Sequence, residues 1–145
     1  MVLQRWQTVF LFLAAIAMAV FTFMPVMGLV TDQGNFTLCA LGCCESSVPN
    51  YLLLTLDCLI VVMLLVTIFK YRDLKLQQRL CKIDILLIIA LLITIACIWL
   101  MQRGIAIALP TPWIILPFVA LFFTLWANGR IKADRKLLSD SERIR

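Results

Sequence analysis

The stretch YLLLTLDCLIVVMLLVTIF, Tyr51–Phe69, decides the fold class: it contains no Gly or Pro and only one charged residue, Asp57, and the bases Lys70 and Arg72 follow it. As a helix rising about 1.5 Å per residue, such a run crosses the ~30 Å hydrocarbon core of a bilayer. Working outward, comparable apolar segments are predicted at 9–30, 84–101 and 112–128, the last preceded by apolar residues 105–109 at the interface. With 63% hydrophobic residues and a mean hydropathy of +1.03, the chain has too little polar sequence to cover a soluble core of its own size. The expected protein is all-α: a single membrane domain over 1–145 forming an antiparallel four-helix bundle, since short connections join sequential helices. Loops are expected at 31–50 and 102–111 on one side, with a loop at 70–83 and a tail at 129–145 on the other.

Charge orients this scheme. Of thirteen Lys and Arg residues, Arg5 precedes the first span, Lys70, Arg72, Lys75, Arg79 and Lys82 fill the middle loop, and Arg130, Lys132, Arg135, Lys136, Arg143 and Arg145 fill the tail, leaving Arg103 alone opposite. Short basic segments stay cytoplasmic, so both termini are expected inside. Aromatic residues give an independent check because Trp and Tyr collect where hydrocarbon meets headgroups. Trp6 and Trp126 fall at the inner boundary, Trp99 and Trp113 at the outer, and Tyr51 and Tyr71 bracket the second span. Thr111 followed by Pro112 reads as an N-cap and first helical position for the last helix, with a bend expected at Pro117. Ser139 and Glu142 match a capping box and point to a helical turn in the tail. Ala17-Met18-Ala19 resembles a signal-cleavage pattern, yet a cut there would strand an apolar 20–30 segment, so retention as the first helix is expected. Ala15 and Ala19, four apart, offer a close-packing face.

The chain contains no His, which removes Ser-His and Cys-His nucleophile pairs and imidazole metal sites. Neither a GxxxxGK[ST] nor a GxGxxG phosphate loop occurs. No enzyme activity, cofactor or metal is expected. Asp57 lies about 9 Å along its helix from Tyr51. A charged Asp near a span centre costs about 2.5–3.5 kcal/mol, so it must be hydrogen-bonded, protonated or wetted. It serves either as a structural group satisfied by a neighbouring hydroxyl or Arg103, or as a proton or substrate site.

Cys39, Cys43 and Cys44 crowd the first outer loop, Cys58 and Cys97 lie in outer helix halves, and Cys81 is on the inner side. In an oxidising compartment Cys39 would pair with Cys43 or Cys44, leaving an odd thiol; the C-x3-C-C spacing is no usual metal frame. The basic segments, with Arg72, Lys75, Arg79, Lys82, Lys132, Arg135, Lys136, Arg143 and Arg145 as candidate contacts, would attract anionic lipid at about 1 kcal/mol per base. Positive-inside topology alone already accounts for such a bias.

The sequences QRWQTVFL at 4–11, RDLKLQQRLCKI at 72–83 and RIKADRKLLSDSERIR at 130–145 resemble domain-of-unknown-function family 4293. The resemblance implies a small four-helix protein of a bacterial inner membrane, in a family found mainly in Bacteroidetes, and brings no assigned activity and no site residues. The cysteine-bearing loop falls outside the resembling pattern. The leading expectation is a multi-pass, non-enzymatic membrane subunit or scaffold. Its basic cytoplasmic face would contact anionic inner-leaflet lipid or a membrane or cytoplasmic protein complex, and no nucleic-acid partner is expected. Alternatives are a small proton-coupled transporter using Asp57 and a periplasmic thiol-redox protein using Cys39, Cys43 and Cys44.

Overall fold

A computed structural model describes residues 2–31, 34–41, 47–70, 73–102 and 107–143. Four long helices dominate: α1 (Val2–Phe23), α2 (Tyr51–Phe69), α3 (Leu74–Gln102) and α4 (Ile115–Arg143). Each contains a segment long and apolar enough to cross a membrane. α1 packs on α2 and α4, and α3 packs on the same two, which closes a four-membered ring. Neighbours run antiparallel, because Thr22 near the end of α1 meets Asp57 early in α2, and Thr67 near the end of α2 meets Asp84 early in α3.

The buried positions explain why these helices pack as a bundle. The seam runs through 7, 11, 14, 18 and 21 in α1, 53, 57, 60, 64 and 67 in α2, 77, 81, 84, 88, 91 and 95 in α3, and 117, 120, 124, 127, 131 and 134 in α4, with Ala15, Ala17 and Gln78 buried beside it. Alternating steps of four and three keep one narrow seam facing inward, the spacing of knobs-into-holes bundles. Between seams, large apolar side chains such as Phe12, Leu59, Val62, Leu86, Ile93 and Phe122 point outward and stay exposed. The interior instead admits Gln7, Asp57, Thr67, Gln77, Asp84, Thr124 and Asp134. An apolar exterior around partly polar seams is the arrangement expected in lipid, where packing and interhelical hydrogen bonds hold helices together.

The expected all-α architecture needs correction, since one end of the bundle carries a four-stranded sheet. Its strands are β1 (Pro25–Thr31), β2 (Gly34–Cys39), β3 (Ser47–Pro49) and β4 (Ile107–Pro110), in the order β3-β2-β1-β4. β1 pairs antiparallel with both β2 and β4, while β2 and β3 run parallel. The first helix therefore ends at Phe23, not residue 30: Pro25 lacks an amide proton for a helix ladder, and Val26, Val30 and Thr31 are β-branched. Val26 is the irregular residue between the Pro25–Cys39 and Met27–Leu38 pairs, and it is fully buried. Gly34 opens β2 with φ +137°, a conformation that side-chain-bearing residues rarely adopt.

Other boundaries move for local reasons. α2 keeps its expected limits because the Asn50 side chain accepts from the amides of Leu52 and Leu53 at 3.2 and 3.3 Å, a true N-cap. The expected 70–83 loop is largely helix: Gln77 N donates to Asp73 O at 2.8 Å, and α3 starts at Leu74. Thr111 does precede a short 3-10 turn, Pro112–Ile114, but its hydroxyl caps nothing there; it lies within hydrogen-bond reach of the carbonyls of Pro25 and Val26, with one proton to give to either, and ties the turn to β1. Pro117 sits in the first turn of α4, where its missing amide proton costs nothing. The tail is a continuation of α4 through Arg143, so Ser139 lies within a helix and does not start one.

Candidate functional site

Opposite the sheet, α3 and α4 extend well beyond what a bilayer requires. At about 1.5 Å per residue each 29-residue helix is roughly 43 Å long, against a ~30 Å hydrocarbon core. Apart from Lys70, which caps α2, the described basic side chains lie on these extensions. Lys70, Lys75, Arg79, Lys82, Arg130, Lys132, Arg135 and Lys136 are all exposed. Arg72 and Arg145 lie outside the described residues, as do the side chains of Arg5 and Arg143.

Acids at the same end behave differently. Asp84 is fully buried and Asp134 is 9% exposed. Thr67 donates to Asp84 Oδ2 at 2.7 Å, and Gln7 Nε2 donates to Asp134 Oδ2. The helical seams sort these groups: the carboxyls of Asp84 and Asp134 turn inward to neutral partners, while the described cations, and the carboxyl of Asp73, are exposed. In sequence both acids sit among the basic residues of the middle and tail segments. Extending the core stripe of α3 back from Ile95, Leu91 and Ile88 would have reached Asp84, Cys81 and Gln77, and the same step in α4 from Ile131 reaches Asp134.

An aromatic band marks where the apolar part ends. The ring centroid of Phe10 lies 6.3 Å from that of Trp6 and 5.5 Å from that of Trp126, and Phe122 lies 4.8 Å from Trp126. Trp6 and Trp126 thus form one cluster across α1 and α4 at the basic end. Near the sheet, Trp99 lines an apolar groove with Met27, Ile95 and Phe118, and Trp113 lies in the 3-10 turn that follows β4.

Asp57 is fully buried between α1 and α2, and Thr22 Oγ1 lies 2.5 Å from its Oδ2. A hydroxyl from the neighbouring helix satisfies it, while Arg103 is outside the described residues. Asp57, Asp84 and Asp134 therefore form a set, each bridging two helices through one carboxyl oxygen. Among the described residues the other oxygen of each has no partner. Such clasps fix helix register, because displacing either partner leaves a buried polar group unpaired.

The described cysteines are spread over β2, α2 and α3. Cys39 is buried at the end of β2, whereas Cys43 and Cys44 lie outside the described residues. Cys58 and Cys97 are exposed on helix surfaces, and the buried Cys81 thiol donates to Thr124 O at 3.4 Å. No group of three His, Cys, Asp or Glu side chains able to hold a metal occurs among the described residues.

These features define a mostly helical protein with four candidate membrane spans, one end strand-capped and the other basic. The family described as "Domain of unknown function (DUF4293)" matches residues 3–144, and the chain belongs to it. No curated protein and no solved structure matches the chain.

Proposed function

We propose that this protein is a non-enzymatic, multi-pass subunit or scaffold of a bacterial inner membrane, with both termini cytoplasmic and its basic end engaging anionic lipid or a partner complex. The observation that carries this reading is the sorting of charge: at one end the described cations face outward while Asp84 and Asp134 are withdrawn into the seams. With Asp73 the one exposed acid among the described side chains at that end, the outer surface there stays strongly positive, which orients the protein by the positive-inside rule and attracts anionic groups. The absence of His and of phosphate-binding loops from the sequence supports a non-catalytic role.

Crosslinking and mass spectrometry on native membranes, followed by purification in mild detergent, tests the reading. A stoichiometric complex, or a shell of anionic lipid, is expected with the native chain and should be lost when Arg79, Lys82, Lys132 and Lys136 are all changed to Gln. Retention of every partner by that variant overturns the proposal.

A further inference from the structure

We infer that the cleft between α3 and α4 at the basic end is a binding site for the phosphate of an anionic phospholipid headgroup. This inference rests on the proposed placement of that end at the inner leaflet. The cleft is shallow and open, with a volume of about 530 Å³. Lys132 and Lys136 stand one turn apart along its α4 wall, with Ser139 a turn further on, and Arg135 and Gln78 complete the lining. Among the described residues the lining holds three cations and no carboxylate.

The site is built, not merely a coincidence of surface charge. Arg135 Nη1 donates to Gln78 Oε1 at 2.9 Å, and Gln78 is itself 9% exposed, so a buried side chain on α3 holds the guanidinium of α4 in place. A guanidinium held at one nitrogen still presents the others, whose planar fork suits phosphate oxygens. Asp134, the neighbour in sequence, would quench this charge if it faced the cleft. It is instead bonded to Gln7 inside the bundle. Gly129 and Ala133 keep the α4 surface low beside the lysines, and a Cβ at Gly129 would meet nothing within 4 Å. Lys132 and Lys136, like charges four residues apart on one helix, repel each other by a few tenths of a kcal/mol, which a bound anion reverses.

Depth selects a lipid as the source of the phosphate. Trp126 belongs to the aromatic band, and Lys132 lies six residues beyond it, about 9 Å along the axis. The headgroup layer occupies roughly the first 5–8 Å outside the hydrocarbon, and flexible lysine arms reach back into it. Basic pockets between spanning helices on this face are established recognition sites for anionic headgroups.

The test uses the full chain in mild detergent, with native mass spectrometry titrations of phosphatidylglycerol, phosphatidylcholine and inorganic phosphate. Phosphatidylglycerol should bind best, and K132Q/K136Q should weaken it about 30-fold. K75Q/K82Q, which removes two exposed bases outside the cleft, should weaken it far less. Equal losses in both pairs would overturn the cleft site while leaving the basic-face reading intact. No loss in either pair would overturn both. Displacement of the lipid by millimolar inorganic phosphate would overturn the lipid assignment in favour of a soluble phosphate.

Discussion

Thr67 Oγ1 stands 2.7 Å from Asp84 Oδ2 and 2.9 Å from the carbonyl oxygen of Met63, and Thr22 repeats the arrangement with Asp57 and Met18 near the other end of α2. A threonine hydroxyl has one proton to give. An amide in place of the carboxyl would supply a second, letting Thr67 donate to Met63 while it accepts from its partner. Asp84→Asn is therefore expected to leave stability unchanged or raise it by up to about 1 kcal/mol. Thr67→Val, which keeps shape and removes the hydroxyl, should cost about 0.5–1.5 kcal/mol. Unfolding in mixed micelles of a mild and a denaturing detergent measures both, and a destabilising Asp84→Asn would refute the proton count.

The same geometry bears on Asp57. As a clasp to Thr22 it needs a hydrogen-bonding group of its own size and no titration. Asp57→Asn should keep the fold and whatever phenotype the native gene supports, whereas Asp57→Leu should loosen the α1–α2 interface by about 1–3 kcal/mol by leaving Thr22 without its partner. Liposomes containing a pH-sensitive dye should show no proton flux that depends on this side chain. A folded Asp57→Asn protein that had lost function would revive the transporter reading.

Gln7 and Asp134 join α1 to the extended part of α4, 127 residues apart in sequence. A double-mutant cycle with Gln7→Leu and Asp134→Leu should return a coupling of about 0.5–1.5 kcal/mol, in the range of interhelical hydrogen bonds in membranes. Additive losses would mean that the two groups do not meet.

Two glycines should respond to alanine with opposite signs. Gly34 holds φ +137° at the start of β2, so Gly34→Ala forces a strained backbone and should cost about 1 kcal/mol or more. Gly129 lies within α4 with open space where a Cβ would stand, so Gly129→Ala should stabilise by about 0.5–1 kcal/mol. Thermal unfolding of the two variants side by side reads the contrast.

The legible part of this fold was whatever local chemistry encodes. Tyr51–Phe69 announces itself by apolar length, and Asn50 stops it at one end with its own side chain. The sheet was not legible for a physical reason. β1 is as apolar as the helix before it, and its pairing with β4 joins Met27 to Pro110, a contact between residues far apart in sequence with no local sign of it. Pro25 and the β-branched Val26, Val30 and Thr31 were the only hint. Composition also made Asp84 and Asp134 look like part of the basic face, since charge counting ignores which side of a helix a residue occupies. Helical phase, read backward from the apolar seam, separates them from Lys82 and Arg135 one or two positions away.

That separation yields a direct test of orientation with the unaltered protein. Lys70, Lys75, Lys82, Lys132 and Lys136 are all of the chain's lysines; every one is exposed and belongs to the basic end. A membrane-impermeant amine-reactive ester applied to intact spheroplasts should leave all of them unmodified if that end is cytoplasmic. The same reagent on inverted membrane vesicles should modify Lys70, Lys75 and Lys82, which lie outside the α3–α4 cleft, most readily. Lys132 and Lys136 should react more slowly when anionic lipid is present, because a bound headgroup shields their ammonium groups. Modification in spheroplasts and protection in inverted vesicles would reverse the orientation, and with it the leaflet to which the basic cleft is exposed.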